Sequence, residues 1–125
     1  MTDEARKFGS RMFEALASPA RLRILEALAA KPASVGTIAQ VAGLNQPTAS
    51  QHLTELLEAG IVVFEARGRF HIYRLRGPRI ERILGLVEEF HAVHLDSLRR
   101  LVGRHPGGTA VNSGSRSRGA GGGRR

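Results

Sequence analysis

Residues 44–76 have the sequence LNQPTASQHLTELLEAGIVVFEARGRFHIYRLR, and the fold of the chain can be predicted most directly from these residues. Between residues 45 and 59, apolar residues recur at helical spacing and predict one buried stripe, formed by Ala49, Leu53, Leu56 and Leu57. The other faces of this helix carry short uncharged side chains, namely Gln46, Thr48, Ser50, Gln51, His52 and Thr54. Their donors and acceptors suit the base edges of a DNA major groove. Taken alone, the pattern more often belongs to an ordinary amphipathic helix with a solvated polar face.

After Gly60 the helical spacing gives way to two β-rich runs, IVVFEAR and RFHIYRL, on either side of Gly68. Two such runs about a glycine-containing tight turn predict a β-hairpin. Arg67 and Arg69 flank its tip. Two guanidinium groups next to a polar helix are typical of a wing that contacts the DNA backbone or minor groove. Two isolated surface arginines would not indicate DNA binding by themselves. The interpretation of this hairpin as a wing therefore depends on the polar helix next to it.

Three more helices are predicted upstream, the first from an apolar stripe formed by Phe8, Met12, Phe13 and Leu16 and the other two from cap signals. The first covers residues 3–17, and the second begins after Ser18 and runs to about residue 30, because Ser18 can cap it and Pro19 fits its first turn. Ser34 can cap a third helix over residues 35–42, with Ile38 and Val41 expected to face inward. The third and fourth helices, joined by a tight turn that contains a glycine, form a helix-turn-helix.

Three charged residues of the second helix, Arg21, Arg23 and Glu26, are expected on or near its exposed side. A last helix is predicted from Pro78 to about Val102, with more apolar surface than a body of this size can cover. We expect it to form a two-fold interface with a second copy, together with the first helix. That arrangement would set two recognition helices roughly one DNA turn apart.

The charge and composition divide the chain near residue 102. Residues 1–102 are predicted to form one domain, whereas residues 103–125 are rich in Gly, Ser and Arg and are expected to be disordered. Five arginines and no acidic residue follow Val102, in a chain whose formal net charge is +8. Such a tail can add non-specific attraction to phosphates, or it is a solubilising end with no specific role.

Several classes of protein are excluded by composition. The chain has no Cys, so disulfides, thiolate metal sites and thiol redox sensing are excluded. It has no long apolar run and no signal-like N-terminus, which predicts a cytoplasmic protein without a membrane partner. Nucleophile elbows, phosphate-binding glycine loops and complete metal motifs are also missing, so an enzyme is not expected.

Three blocks resemble the ArsR/SmtB family of bacterial winged-helix transcriptional repressors: FEALASPARLRILEAL, VGTIAQVAGLNQPTASQHLTELLEAGIV and GRFHIYRL. The resemblance covers roughly residues 8–102. It implies a mainly α fold with a small β-hairpin, a homodimeric winged helix-turn-helix. It also implies a repressor that binds double-stranded operator DNA and is released by an effector. Pro47 departs from the family, because many members have Ser there. The implied contact set comprises Gln46, Thr48, Ser50, Gln51 and His52 on the helix and Arg67 and Arg69 on the wing.

An effector site on the last helix is suggested by His91 and His94, which are three residues apart, and by Glu88, three residues earlier. Imidazole and carboxylate groups at this spacing suit Zn, Ni or Co. If the effector is a metal, Ni or Zn is the expected cofactor. The family pattern also expects an Asp-x-His pair about ten residues earlier, where this chain has Pro78 and Ile80. A complete site would therefore need further groups, with candidates at Asp3, Glu4, His71 and Asp96.

Two alternatives stay open for these histidines. They are metal ligands, or they are ordinary surface or interface residues of a winged-helix regulator without a metal response. Such a regulator would be constitutive or controlled by a small molecule or a protein partner. His71 is expected to pack across the hairpin, and His105 falls in the predicted disordered tail.

Overall fold

The computed structural model describes residues 1–104. Along these residues the order of elements is α1 Asp3–Leu16, α2 Pro19–Ala30, β1 Ala33–Ser34, α3 Val35–Ala42, α4 Gln46–Glu58, β2 Val62–Arg67, β3 Phe70–Leu75 and α5 Pro78–Arg104. One compact unit comprises Met1–Gly85, and a second begins at Leu86, within α5. No helix of the described residues is long and apolar enough to cross a membrane.

The helix boundaries agree with the predicted ones to within two residues. Asn45 Oδ1 accepts a hydrogen bond of 2.9 Å from the backbone N–H of Thr48, and Ser18 Oγ accepts one of 3.3 Å from that of Arg21. Ser34 occupies the N-cap position of α3 but makes no side-chain cap bond. Helix α5 continues two residues beyond Val102, into the predicted tail. The rest of that tail, with His105, lies outside the described residues.

The wing is part of a three-stranded antiparallel sheet in the order β1-β3-β2. Phe64 of β2 pairs with Tyr73 of β3, and Ala33 of β1 pairs with Tyr73 from the other side. The sequence did not indicate β1, because a strand of two residues is too short to show alternation. Its pairing attaches the segment that enters the helix-turn-helix to the base of the wing.

The core of the first unit lies between α2, α3, α4 and the base of the hairpin. Its fully buried large side chains are Ile24, Leu25, Ile38, Leu53, Leu56, Ile61 and Val62. The predicted stripe of α4 is confirmed for Ala49, Leu53 and Leu56, whereas Leu57 is only partly buried. The inward prediction for Val41 was wrong, since this side chain is 65% exposed. The buried side chains of α3 are those of Ile38, Ala39 and Ala42. The helix therefore packs on the core through Ile38 and two small alanines, and not through Val41.

Candidate nucleic-acid interface

Helix α4 presents a polar surface next to its buried stripe. Gln46, Thr48, Ser50 and Gln51 are exposed, and His52 is partly exposed. The hydroxyl of Thr54 donates to the Ser50 carbonyl oxygen at 3.1 Å, within the same helix. Thr54 is therefore satisfied locally, whereas the exposed amide and hydroxyl groups towards the start of α4 can meet base edges.

The two arginines at the wing tip differ in their surroundings. Arg67 donates from Nη2 and Nε to Glu65 Oε1, at 2.8 and 3.2 Å, so a carboxylate offsets part of its charge. Arg69 has no ion pair among the residues that the structure describes. It follows Gly68, which has φ 61° and turns the chain at the tip. Arg69 is therefore the wing cation that is more available to a phosphate.

The inner half of the wing carries an aromatic cluster. The rings of Phe64 and His71 stack with centroids 4.3 Å apart and an interplanar angle of 19°, and Tyr73 lies 5.6 Å from Phe64. His71 thus packs across the hairpin, as predicted. Stacked aromatic pairs of this kind stiffen a two-stranded hairpin that is exposed at its tip.

A cleft of about 470 Å³ separates the start of α4 from the wing. Gln46 and Ser50 line it from the helix, and Arg69 and Tyr73 line it from the hairpin. Ser34, at the start of α3, closes its third side. The structure therefore brings together the predicted base-reading residues Gln46 and Ser50 and the predicted backbone contact Arg69. An amide, hydroxyls and a guanidinium in one open cleft can bind the sugar-phosphate backbone and adjoining bases together.

Arg21 is a residue whose position the sequence did not reveal. Its side chain is only 14% exposed, so the expectation of an exposed side was wrong for this residue. Nε donates to His52 Nδ1 at 3.0 Å, Nη1 donates to the Ala15 carbonyl oxygen at 3.1 Å, and Nη2 lies 2.9 Å from Glu55 Oε2. The long aliphatic part of the Arg21 side chain allows its guanidinium to fold back and contact neighbouring helices. Helical periodicity in the sequence does not reveal such a contact.

The predicted metal ligands Glu88, His91 and His94 are all exposed on α5. Within residues 1–104, no group of three or more His, Asp or Glu side chains could hold a metal ion. Asp96, one of the groups considered to complete the site, pairs with Arg100 at 2.7 Å, and His71 is stacked on Phe64. The described residues of one subunit therefore do not fit a metal centre by themselves.

Comparison with known proteins places this geometry in a family. Residues 16–63 match the family described as a helix-turn-helix domain. The chain is 35% identical to the HTH-type transcriptional regulator Rv0081 of Mycobacterium tuberculosis over 107 residues, which cover 84% of this chain and 94% of that protein. It also matches the solution structure of the homodimeric winged helix-turn-helix DNA-binding domain of Mb0332 from Mycobacterium bovis. That relative is described as a possible ArsR-family transcriptional regulator, and the match has a TM-score of 0.70 and 32% identity and covers 78% and 93% of the two chains.

The chain belongs to the ArsR family of winged helix-turn-helix transcriptional regulators. The resemblance, the winged fold and the expectation of a regulator rather than an enzyme are confirmed by these relatives. Another relative in the comparison is the probable mercury resistance operon repressor of Streptomyces lividans, 30% identical over 97 residues that cover 75% of this chain and 78% of that protein. The chain spans only 38% of the length of a further relative, Rv0324 of M. tuberculosis.

Proposed function

We propose that this ArsR-family chain is a homodimeric repressor that acts in the cytoplasm and binds a palindromic operator through α4 and the wing of each subunit. The observation that carries the proposal is the cleft that joins Gln46 and Ser50 to Arg69. In this arrangement, polar side chains of α4 read base edges and Arg69 contacts a phosphate. Gln46, Thr48, Ser50, Gln51 and His52 form the proposed reading surface, with Arg67 and Arg69 on the wing.

Exposed apolar side chains support a second copy as the partner. On α5, Leu86, Val87, Phe90 and Val93 are exposed, and on α1 the same holds for Phe8 and Phe13. Apolar surface of this extent on a single chain marks an interaction site. The solved relative Mb0332 is described as homodimeric, and a two-fold dimer matches the symmetry of a palindromic operator.

Binding to DNA from the region next to the chain's own gene, measured by fluorescence anisotropy, tests the proposal. Gln51→Ala is expected to weaken binding to the operator by about 1–3 kcal/mol and to relax discrimination at one base pair. Gln40→Ala is the matched control, because Gln40 is an exposed glutamine on α3, outside the proposed reading surface. Equal binding by the two variants at every base pair would contradict the placement of α4 in the groove.

Control by a transition metal is the second candidate, and a relative that is named as a mercury resistance repressor favours it. A site at Glu88, His91 and His94 would need ligands from the second subunit, since one subunit gathers no set of three within its described residues. Calorimetric titration with Ni and Zn, on the wild type and on the His91→Ala/His94→Ala double variant, tests this candidate. If the wild type binds neither metal tightly, or if the double variant binds the metal as the wild type does, these residues do not form a metal site. The chain would then be a regulator that is controlled by another effector or by none.

A further inference from the structure

The hydrogen bond between Arg21 and His52 fixes where the imidazole carries its proton. A guanidinium is protonated at every relevant pH, so Arg21 Nε is the donor in this bond of 3.0 Å and His52 Nδ1 is the acceptor. A ring nitrogen that accepts a hydrogen bond carries no proton. The neutral imidazole must therefore carry its single proton on Nε2.

We propose that Arg21 is a positioning residue that holds His52 in the Nε2–H tautomer, so that the recognition helix presents a hydrogen-bond donor to DNA at this position. Within residues 1–104, Nε2 of His52 has no hydrogen-bond partner, and the side chain is partly exposed on α4. A fixed N–H selects acceptors on the duplex, such as guanine O6 or N7, thymine O4 or a phosphate oxygen, and disfavours exposed amino groups. The part of this inference that concerns DNA rests on the proposed function.

The same guanidinium also sets the orientation of α4. Its other two nitrogens contact the Ala15 carbonyl oxygen in the last turn of α1 and the Glu55 carboxylate, three residues after His52 on α4. The backbone of Arg21 is itself held by the Ser18 cap at the start of α2. Three elements thus meet at one planar group whose donors point in fixed directions, which a lysine ammonium cannot reproduce. Arg21 therefore fixes both the ring and the helix that carries it.

The first test reads the tautomer directly in the absence of DNA. In long-range proton–nitrogen NMR spectra of the full chain, at a pH where imidazoles are neutral, His52 is expected to show a protonated Nε2 and an unprotonated Nδ1. In Arg21→Lys and Arg21→Met, the His52 signals are expected to shift towards a mixture of both tautomers, while the stacked His71 keeps its signals as an internal reference. A mixture in the wild type, or an unchanged His52 spectrum in both variants, overturns the inference.

The second test uses two amide substitutions that each imitate one ring nitrogen, so it does not depend on the folding of an Arg21 variant. His52→Asn places an acceptor near the Nδ1 position but leaves no donor at the Nε2 position, and His52→Gln does the reverse. Operator affinity is expected to fall by about five-fold to a hundred-fold in His52→Asn and less in His52→Gln. Thermal stability is expected to show the opposite order, because His52→Gln loses the Arg21 contact. Equal effects, or the reverse order, overturn the inference.

The two tests also separate this inference from the proposed function. Operator binding by a wild-type chain whose His52 populates both tautomers overturns the inference and leaves the proposed function standing. A fixed Nε2–H tautomer that depends on Arg21, in a chain that binds no operator, overturns the proposed function instead.

Discussion

Arg76 Nη1 donates to the carbonyl oxygen of Gly60 at 3.4 Å, and this contact joins the exit of the wing to the turn that follows α4. The backbone N–H of Arg76 also donates to the Ile61 carbonyl oxygen at 3.0 Å. Both bonds close the base of the hairpin directly after α4. The position of the wing relative to the reading surface therefore depends on the turn at Gly60.

Gly60→Ala should disturb this turn in two ways. Gly60 has φ 76°, a left-handed conformation that costs other residues about 1–2 kcal/mol, and an added Cβ would lie 2.8 Å from Arg76 Nη1. Because that atom is the end of a flexible side chain, we expect Arg76 to move and the free energy of unfolding to fall by about 1–2 kcal/mol. Urea denaturation measures the loss, and operator affinity is expected to fall as well.

The control for this prediction is Gly43→Ala. Gly43 has a similar φ of 71°, but nothing lies within 4 Å of an added Cβ. It should lose similar stability while the Arg76 contact stays intact. If both variants lost operator affinity equally, the contact between Arg76 and Gly60 would not position the wing.

Arg23→Ala should loosen the turn of the helix-turn-helix. Arg23 Nε donates to the carbonyl oxygen of Ala42, the last residue of α3, at 3.0 Å. As a carbonyl at the C-terminal end of a helix, it has no N–H donor within the helix, so the charged Arg23 donor stabilises it. We expect the free energy of unfolding to fall by about 1 kcal/mol, measured by thermal or urea denaturation. Arg82→Ala, at an exposed position of α5, should change it by much less, and equal losses would contradict the assigned role.

Arg69→Ala should reduce the salt dependence of operator binding more than Arg67→Ala does. Each phosphate contact contributes about 0.9 to the slope of log K against log salt, and Glu65 already offsets the charge of Arg67. Anisotropy titrations at several salt concentrations measure both slopes. We expect Arg69→Ala to weaken binding to all sequences alike. A larger change of slope for Arg67→Ala would show that the wing approaches DNA in another orientation.

Phe90→Asp should prevent dimerisation without unfolding the subunit. Phe90 is 73% exposed on α5 in the single chain, and a second copy that covers it would bury a large aromatic surface. Sedimentation velocity at micromolar concentration is expected to show a monomer, with helical content retained by circular dichroism. The neighbouring exposed substitution Glu89→Ala should leave a dimer. A dimer that persists in Phe90→Asp would exclude this face of α5 as the interface.

The sequence predicted the features that are encoded locally. Asn45 and Ser18 act as caps because a side chain and a backbone N–H three residues later suffice for that interaction. By contrast, β1 exists only through its pairing with β3, and Val41 is exposed because α3 packs through its alanines. The pairing of β1 and the exposure of Val41 both depend on tertiary packing. The periodicity of apolar residues in the sequence gives no information about that packing.

The candidate site divides in the same way. The composition of α4 and the Arg67-Gly68-Arg69 tip identified the groups proposed to meet DNA, and the structure gathers Gln46, Ser50 and Arg69 around one cleft. The contact between Arg21 and His52 spans 31 residues, and no local spacing indicates it. Residues that support the site were therefore harder to predict than residues that form its surface.

We expect two subunits together to present two copies of α4 to one duplex. Sedimentation equilibrium of the purified chain with a labelled operator duplex measures this most directly. We predict a dimer in the absence of DNA and a complex of two chains per duplex. A chain that is monomeric at micromolar concentration and binds none of the duplexes from the region next to its gene would contradict a dimeric operator-binding protein.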